Sequence, residues 1–191
     1  HCSDSGIEFY QEKGGYLAYL DTRSKLSHTL HDTSKWRVLY GAGGSNISAS
    51  AINCDEISRP HKLVIDQTLY WRGADSEDEA LYYVGLLNSD AINDAIKEFQ
   101  PEGNFGKRHI HTLPLSLISE YDPNDERHAR VVEATRLLQA RIERACAEDQ
   151  RLASYLNPAN GALSSRRRRF QQFYRALSEF ERLNAACLEA I

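Results

Sequence analysis

The chain has 191 residues, 41% hydrophobic and 26% charged, a balance ordinary for a globular protein with one substantial core. No apolar run approaches the roughly 18 residues that span a bilayer, and no signal peptide opens the chain. A cytoplasmic location with no membrane partner is therefore expected. The formal net charge of −4 excludes a uniformly basic coat but hides an asymmetry. Residues 1–100 hold 9 Lys/Arg against 15 Asp/Glu, whereas residues 101–191 hold 14 against 12. Five arginines and no acid lie between Ser164 and Arg175, and a local patch of this kind suffices to contact phosphates in an acidic protein. Cys2, Cys54, Cys146 and Cys187 are scattered without a C-x-x-C pair, so neither a zinc cluster nor a disulfide framework is expected. The start at His1 and the absence of Met are expected of a piece of a longer protein.

In chain order, Gly14-Gly15 precedes an apolar run, Tyr16–Leu20, that reads as β structure. Trp36–Tyr40 alternates large and polar side chains and runs into Gly41-Ala42-Gly43-Gly44. A small-residue strand is expected over Ile47–Ile52. Leu63-Val64-Ile65 and Thr68–Trp71 flank Asp66-Gln67, as a tight turn or a bulged continuous strand. Strands this short and this close predict a small mixed or antiparallel sheet rather than βαβ units.

A helix is expected behind the capping box Ser76-x-x-Glu79, with Ala80, Tyr83, Val84, Leu87, Ala91, Ala95 and Phe99 at helical spacing. Asn88-Ser89, both cap formers, can split it in two. Residues 100–121 read as irregular. Asp122-Pro123 then reads as an N-cap followed by proline at the first helical position. Val131, Ala134, Leu138, Ile142 and Ala145 share one face of that helix. After a loop at Asn157-Pro158 and Asn160-Gly161 comes a last helix, striped by Phe170, Phe173, Leu177, Phe180, Asn184, Cys187 and Ile191. The expected class is α+β: a small sheet in the N-terminal third followed by a helical part. The division falls at 1–121 and 122–191, with the second part packed on the first or continuous with it.

Three constellations can carry chemistry. In Gly41–Asn46, Gly43 and Gly44 allow close backbone approach to a phosphate, and Ser45 and Asn46 can donate hydrogen bonds. The alternative is a plain glycine-rich turn. No Gly-Lys-Ser/Thr follows, so it is not a Walker loop, and the glycine spacing is not that of a dinucleotide fingerprint. Lys107, Arg108, His109 and His111 form the densest polar cluster. The two cations suit phosphates, and Arg108 also suits the acceptor edge of guanine. Rival readings are a solvated loop, or a metal site on His109 and His111 with His128. Arg166–Arg169 open the last helix and cover most of a turn, as a phosphate-contacting patch or a solvated basic face. No G-x-S-x-G, H-E-x-x-H or nucleophilic cysteine context is present, and Asp125-Glu126 suit the first turn of a helix.

Taken together, Trp36–Ile47, Asp66–Trp71, Glu79–Ser89 and Phe105–Leu115 resemble, in that order, the C-terminal region of large N6-adenine DNA methyltransferases of restriction-modification systems, including fused restriction-methylation enzymes. The resemblance spans about residues 35–140 and is most specific at Leu86-Leu87-Asn88-Ser89 and Arg108–Leu115. It implies a target-recognition domain that reads double-stranded DNA while the parent's separate methyltransferase domain binds S-adenosylmethionine. The family's Asn/Asp-Pro-Pro-Tyr/Phe and cofactor motifs are missing, and Asn157-Pro158 lacks the second proline and the aromatic residue. The chain itself is thus expected to hold no cofactor, no metal and no catalytic residue. The expected DNA-binding set is Lys35, Arg37, Gly43, Gly44, Ser45, Asn46, Lys107, Arg108, His109, His111, Arg166 and Arg167. Two other classes stay open: a protein-interaction module of a phage-defence complex, and a small metal-dependent hydrolase built on His109 and His111.

Overall fold

The computed structural model describes residues 14–15, 18, 21, 25–41, 46–57, 65, 69–98 and 116–191. A short helix, α1 (Lys25–His31), precedes β1 (Trp36–Gly41), β2 (Ala49–Asn53), the single turn α2 (Cys54–Ile57) and β3 (Leu69–Ala74). Helices α3 (Glu77–Asn88), α4 (Asp90–Glu98), α5 (Glu126–Glu148), α6 (Gln150–Leu156), α7 (Leu163–Tyr174) and α8 (Ser178–Ala190) follow. The fold is α+β, as the residue pattern predicts.

The sheet is antiparallel, in the order β2-β1-β3. Val38 lies opposite Ala51 and Arg72, and Tyr40 opposite Ala49 and Tyr70. Alternation puts Val38 and Tyr40 on the face that meets the helices, where both are buried. Strand β2 starts two residues later than the apolar run suggests. The Ile47 N–H donates to Asn93 Oδ1 at 2.6 Å, which takes it out of the ladder. The runs Tyr16-Leu17 and Leu63-Val64 lie outside the described residues.

Helix α3 starts where its capping box places it. Ser76 Oγ accepts the Glu79 N–H at 3.1 Å, and Glu79 reaches back to the Asp75 N–H at 2.9 Å. Ser89 ends it and starts α4, because its Oγ donates to the Leu86 carbonyl and accepts the Ile92 N–H. Helix α5 starts later than expected. Its N-cap is Asp125, whose carboxylate accepts the Arg127 N–H at 2.8 Å. Asp122 instead closes a tight turn by accepting the Asn124 N–H, and Pro123 stays outside the helix. The expected last helix is two, α7 and α8. The Ala176 and Leu177 N–H groups turn back to the Phe173 and Tyr174 carbonyls and break it.

One apolar core joins the sheet to the helices: Val38 and Tyr40 share it with Leu86, Leu87, Val131 and Leu183. Helix α3 lies between the sheet and α5, and Gly85 sits at the α3–α5 crossing. A Cβ there would come within 2.2 Å of Thr135 Oγ1 and 3.0 Å of Val131 Cγ1, so only glycine permits this approach.

Candidate nucleic-acid interface

Asn88 holds the β2 edge, which has no neighbouring strand among the described residues. Its Oδ1 accepts the Ala49 N–H at 3.0 Å and its Nδ2 donates to the Ala49 carbonyl at 2.9 Å, so one carboxamide stands in for a neighbouring strand. Asn93, buried beneath it, donates to the Leu87 and Ser89 carbonyls while accepting from Ile47. Helix α8 joins through Asn184 Oδ1, which accepts the Asp90 N–H at 2.9 Å. This polar lock couples residues 39 to 94 apart in sequence.

Beyond the β2 edge a cleft of about 540 Å³ opens between the sheet and α3, α5, α7 and α8. Its β2 wall is low, because Ala49 and Ala51 are small. Leu138, Ile142, Phe170, Tyr174 and Phe180 form the opposite wall, and Glu77, Glu143 and Arg167 supply its charged groups. Burial pushes the Tyr174 hydroxyl above its ordinary pKa, so it lines the cleft in its neutral form.

Helix α7 has a second working face. Three arginines meet at Tyr155 on α6. Arg151 Nε donates to the Tyr155 hydroxyl at 3.1 Å, Arg166 Nη1 donates to the Tyr155 carbonyl at 2.8 Å, and the Arg169 guanidinium lies 5.9 Å from the Tyr155 ring centroid. Arg166 Nε also donates to the Gly161 carbonyl, which ties the α6–α7 loop to the helix start. Arg151, Arg167, Arg168 and Arg169 are exposed; the Arg151 backbone N–H donates to the Asp149 carboxylate at 2.7 Å, but none of their side chains makes an ion pair among the described residues. The contrast is with Arg127, Arg130, Arg136, Arg141, Arg175 and Arg182, which each do. Of the first four, Arg151 and Arg169 lie at Tyr155, with Glu148 and Asp149 exposed nearby in sequence, while Arg167 also lines the cleft.

The residues singled out in the sequence fall into three groups. Lys35 is exposed at the start of β1, Asn46 is half-buried just ahead of Ile47, and Arg167 is exposed on α7. Arg37 is a correction. It is 4% exposed, and its guanidinium donates to the Thr29 carbonyl at 2.5 Å, to the Asp32 carbonyl at 3.3 Å and to the Asp32 carboxylate at 3.4 Å. It also lies 4.9 Å over the Trp71 ring, so its donors hold the α1–β1 connection and do not face a ligand. Arg166 is half-buried and committed to two carbonyls, a role in shaping the corner. Gly43, Gly44, Ser45, Lys107, Arg108, His109 and His111 lie outside the described residues.

His128, a possible third ligand in the metal reading, is built into the core. Its Nδ1 accepts the Asp122 N–H at 2.9 Å, which fixes the tautomer with the proton on Nε2. Nε2 meets the Tyr82 hydroxyl and Ser119 Oγ, each at 3.3 Å. Both ring nitrogens are engaged by this chain's own groups. Among the described residues no three His, Cys, Asp or Glu side chains gather as a metal site. Burial pushes the thiols of Cys54, Cys146 and Cys187 above their ordinary pKa, that of Cys187 to about 12, so these cysteines are poor nucleophiles.

The residues that sequence reading missed are Arg151 and Tyr155. Their i,i+4 spacing on one helix was a usable signal. Comparison of the chain with protein-family models, with curated proteins and with solved structures finds no match.

Proposed function

We propose that this chain is a DNA-binding, target-recognition part of an adenine-specific DNA methyltransferase of a restriction-modification system, holding duplex DNA through the exposed arginines of α6 and α7. The observation that carries the reading is the distribution of charge: seven arginines pair with carboxylates, whereas the side chains of Arg151, Arg167, Arg168 and Arg169, on α6 and α7, make no ion pair among the described residues. Such a group exchanges condensed counterions for contacts to phosphate. Arg166 and Tyr155 support it by fixing the loop from which it projects.

The sequence likeness over residues 35–140 supplies the class. In this reading the phosphate contacts set the register of the duplex, and base edges are read from the loops at Gly43–Asn46 and Lys107–His111. The parent's methyltransferase domain holds S-adenosylmethionine and takes the adenine out of the stack, so the chain alone transfers no methyl group.

The test is fluorescence anisotropy of a labelled duplex titrated with the chain. The expected dissociation constant is in the range of roughly 10⁻⁴–10⁻⁶ M near physiological salt, tightening as salt is lowered. Absence of binding at low salt overturns the proposal.

A further inference from the structure

We propose that helices α6 and α7, residues 150–174, form an arm that undocks from the core as one unit, turning about Asp149 and Leu177, and that the Asp90–Arg175 pair fastens it in its docked position. The inference starts from burial. No residue from Gln150 to Glu179 is buried, whereas α3, α5 and α8 each bury four or more. Of the apolar side chains in 150–177, only Tyr174 and Leu177 pack against the core. Phe170 and the rest of the cleft-facing side of α7 stand across open space from β2. Among the described residues no hydrogen bond or ion pair links 150–174 to another element, apart from the bonds at its two joins. A stretch held this lightly opens at lower cost than the core.

Each join has a single extended residue. Asp149 (φ −119°, ψ 103°) ends α5 through its N–H to the Ala145 carbonyl at 2.9 Å and starts α6 by accepting the Arg151 N–H. Leu177 (φ −84°, ψ 140°) precedes α8 and supplies no capping side chain. Dihedral changes at these two positions move everything between them. Inside, the arm is tied to itself. Arg166 donates to the Tyr155 and Gly161 carbonyls, Asn160 Nδ2 donates to the Ser154 carbonyl at 3.1 Å, and Arg151 and Arg169 meet at Tyr155. The two helices therefore open together. At 7 and 12 residues they are too short to persist in water without packing, so undocking exposes their amides. The fastening sits at one end. Tyr174 packs edge-on against Phe180, and Arg175 pairs with Asp90 while lying 5.3 Å over the Phe180 ring. Asn184 Nδ2 holds Asp90 in place at 3.1 Å. Arg151 and Arg167–Arg169 ride on this arm, so DNA bound by them keeps it folded, a consequence that rests on the proposed function.

The experiment is amide hydrogen exchange, read residue by residue on the full, isotopically labelled chain under native conditions. Protection should be uniform across α6 and α7 and about a hundredfold or more below that of the buried amides of α3, α5 and α8. Arg175→Ala removes an exposed side chain and should leave the fold intact. It should lower protection in α6 and α7 by about threefold to tenfold and leave α3 and α5 unchanged. A short duplex added at low salt should raise protection in the arm of the unsubstituted chain. Protection in the arm equal to that of α5 and α8 overturns the proposal, and so does protection that differs widely between α6 and α7. A loss in Arg175→Ala spread equally over the whole chain also overturns it, because the pair would then hold the entire fold. A duplex that binds without raising protection in the arm overturns the coupling to DNA. A duplex that does not bind counts against the DNA reading alone, and exchange in the free chain then decides the arm.

Discussion

The Asn88 carboxamide holds both main-chain groups of Ala49, accepting its N–H at 3.0 Å and donating to its carbonyl at 2.9 Å. This contact joins the C-terminal end of α3 to the β2 edge of the sheet. Asn88→Ala strips both partners from a part-buried peptide unit. A loss of about 1–2 kcal/mol is expected, measured as a lower midpoint in urea unfolding. Asn88→Asp keeps the acceptor, loses the donor and should fall between the two.

His128 is a structural residue in this account, and its substitution separates that role from the metal reading. His128→Ala removes the acceptor of the Asp122 N–H and the partner of the Tyr82 hydroxyl in a site that is 4% exposed. It should cost about 1–3 kcal/mol, while a chelator leaves the thermal midpoint of the unsubstituted chain unchanged. A midpoint that falls on chelation and returns on adding zinc would contradict this assignment.

The start of α5 carries an acid-sensitive element. Arg127 beside Asp125 holds its carboxyl well below the usual carboxylate range, through a side-chain ion pair with a 2.6 Å contact and a backbone N–H bond. A carboxyl whose pKa is lowered on folding contributes stability above its unfolded pKa of about 3.9 and loses it as the pH falls through the folded value. Asp125→Asn keeps a capping side chain and removes the titration. Unfolding followed across the pH range should show the unsubstituted chain more stable than Asp125→Asn at neutral pH, with the gap closing below about pH 4. A gap that stays constant into acid would show that Arg127 does not act through charge.

Much of the architecture was legible because it rests on local signals. The capping box at Ser76 and Glu79, the cap-forming pair Asn88-Ser89 and the alternation in Trp36–Tyr40 each fix an element within a few residues. What escaped depends on partners distant in sequence. Arg37 reads as a solvent-facing position of an alternating strand. Yet α1 lies over that face, where His28 packs 5.2 Å from Trp71, and the arginine is enclosed. Asp122-Pro123 carries the stronger N-cap signature, but the Asp122 N–H is drawn to His128 and the helix waits for Asp125. The break between α7 and α8 has no Gly or Pro to announce it. Tyr174 packs edge-on against Phe180 at 5.3 Å across that break, a tertiary contact that a helical stripe does not reveal. Of the interface, the arginine run was plain in the sequence. Its organiser Tyr155 was not, because the tyrosine gathers its cations from two helices.

The central claim, that the exposed arginines of α7 contact the phosphates of duplex DNA, is tested most directly by the salt dependence of binding in the triple variant Arg167→Ala, Arg168→Ala, Arg169→Ala. These side chains are exposed and make no ion pair among the described residues, so the variant should unfold at nearly the same temperature as the unsubstituted chain. Anisotropy titrations of one labelled duplex over a series of salt concentrations give the slope of log K against log salt for both proteins. The variant should bind more weakly at every salt, with a slope shallower by about 0.9 for each phosphate that it no longer neutralises. Equal affinity and equal slope in the two proteins, with folding intact, would contradict it.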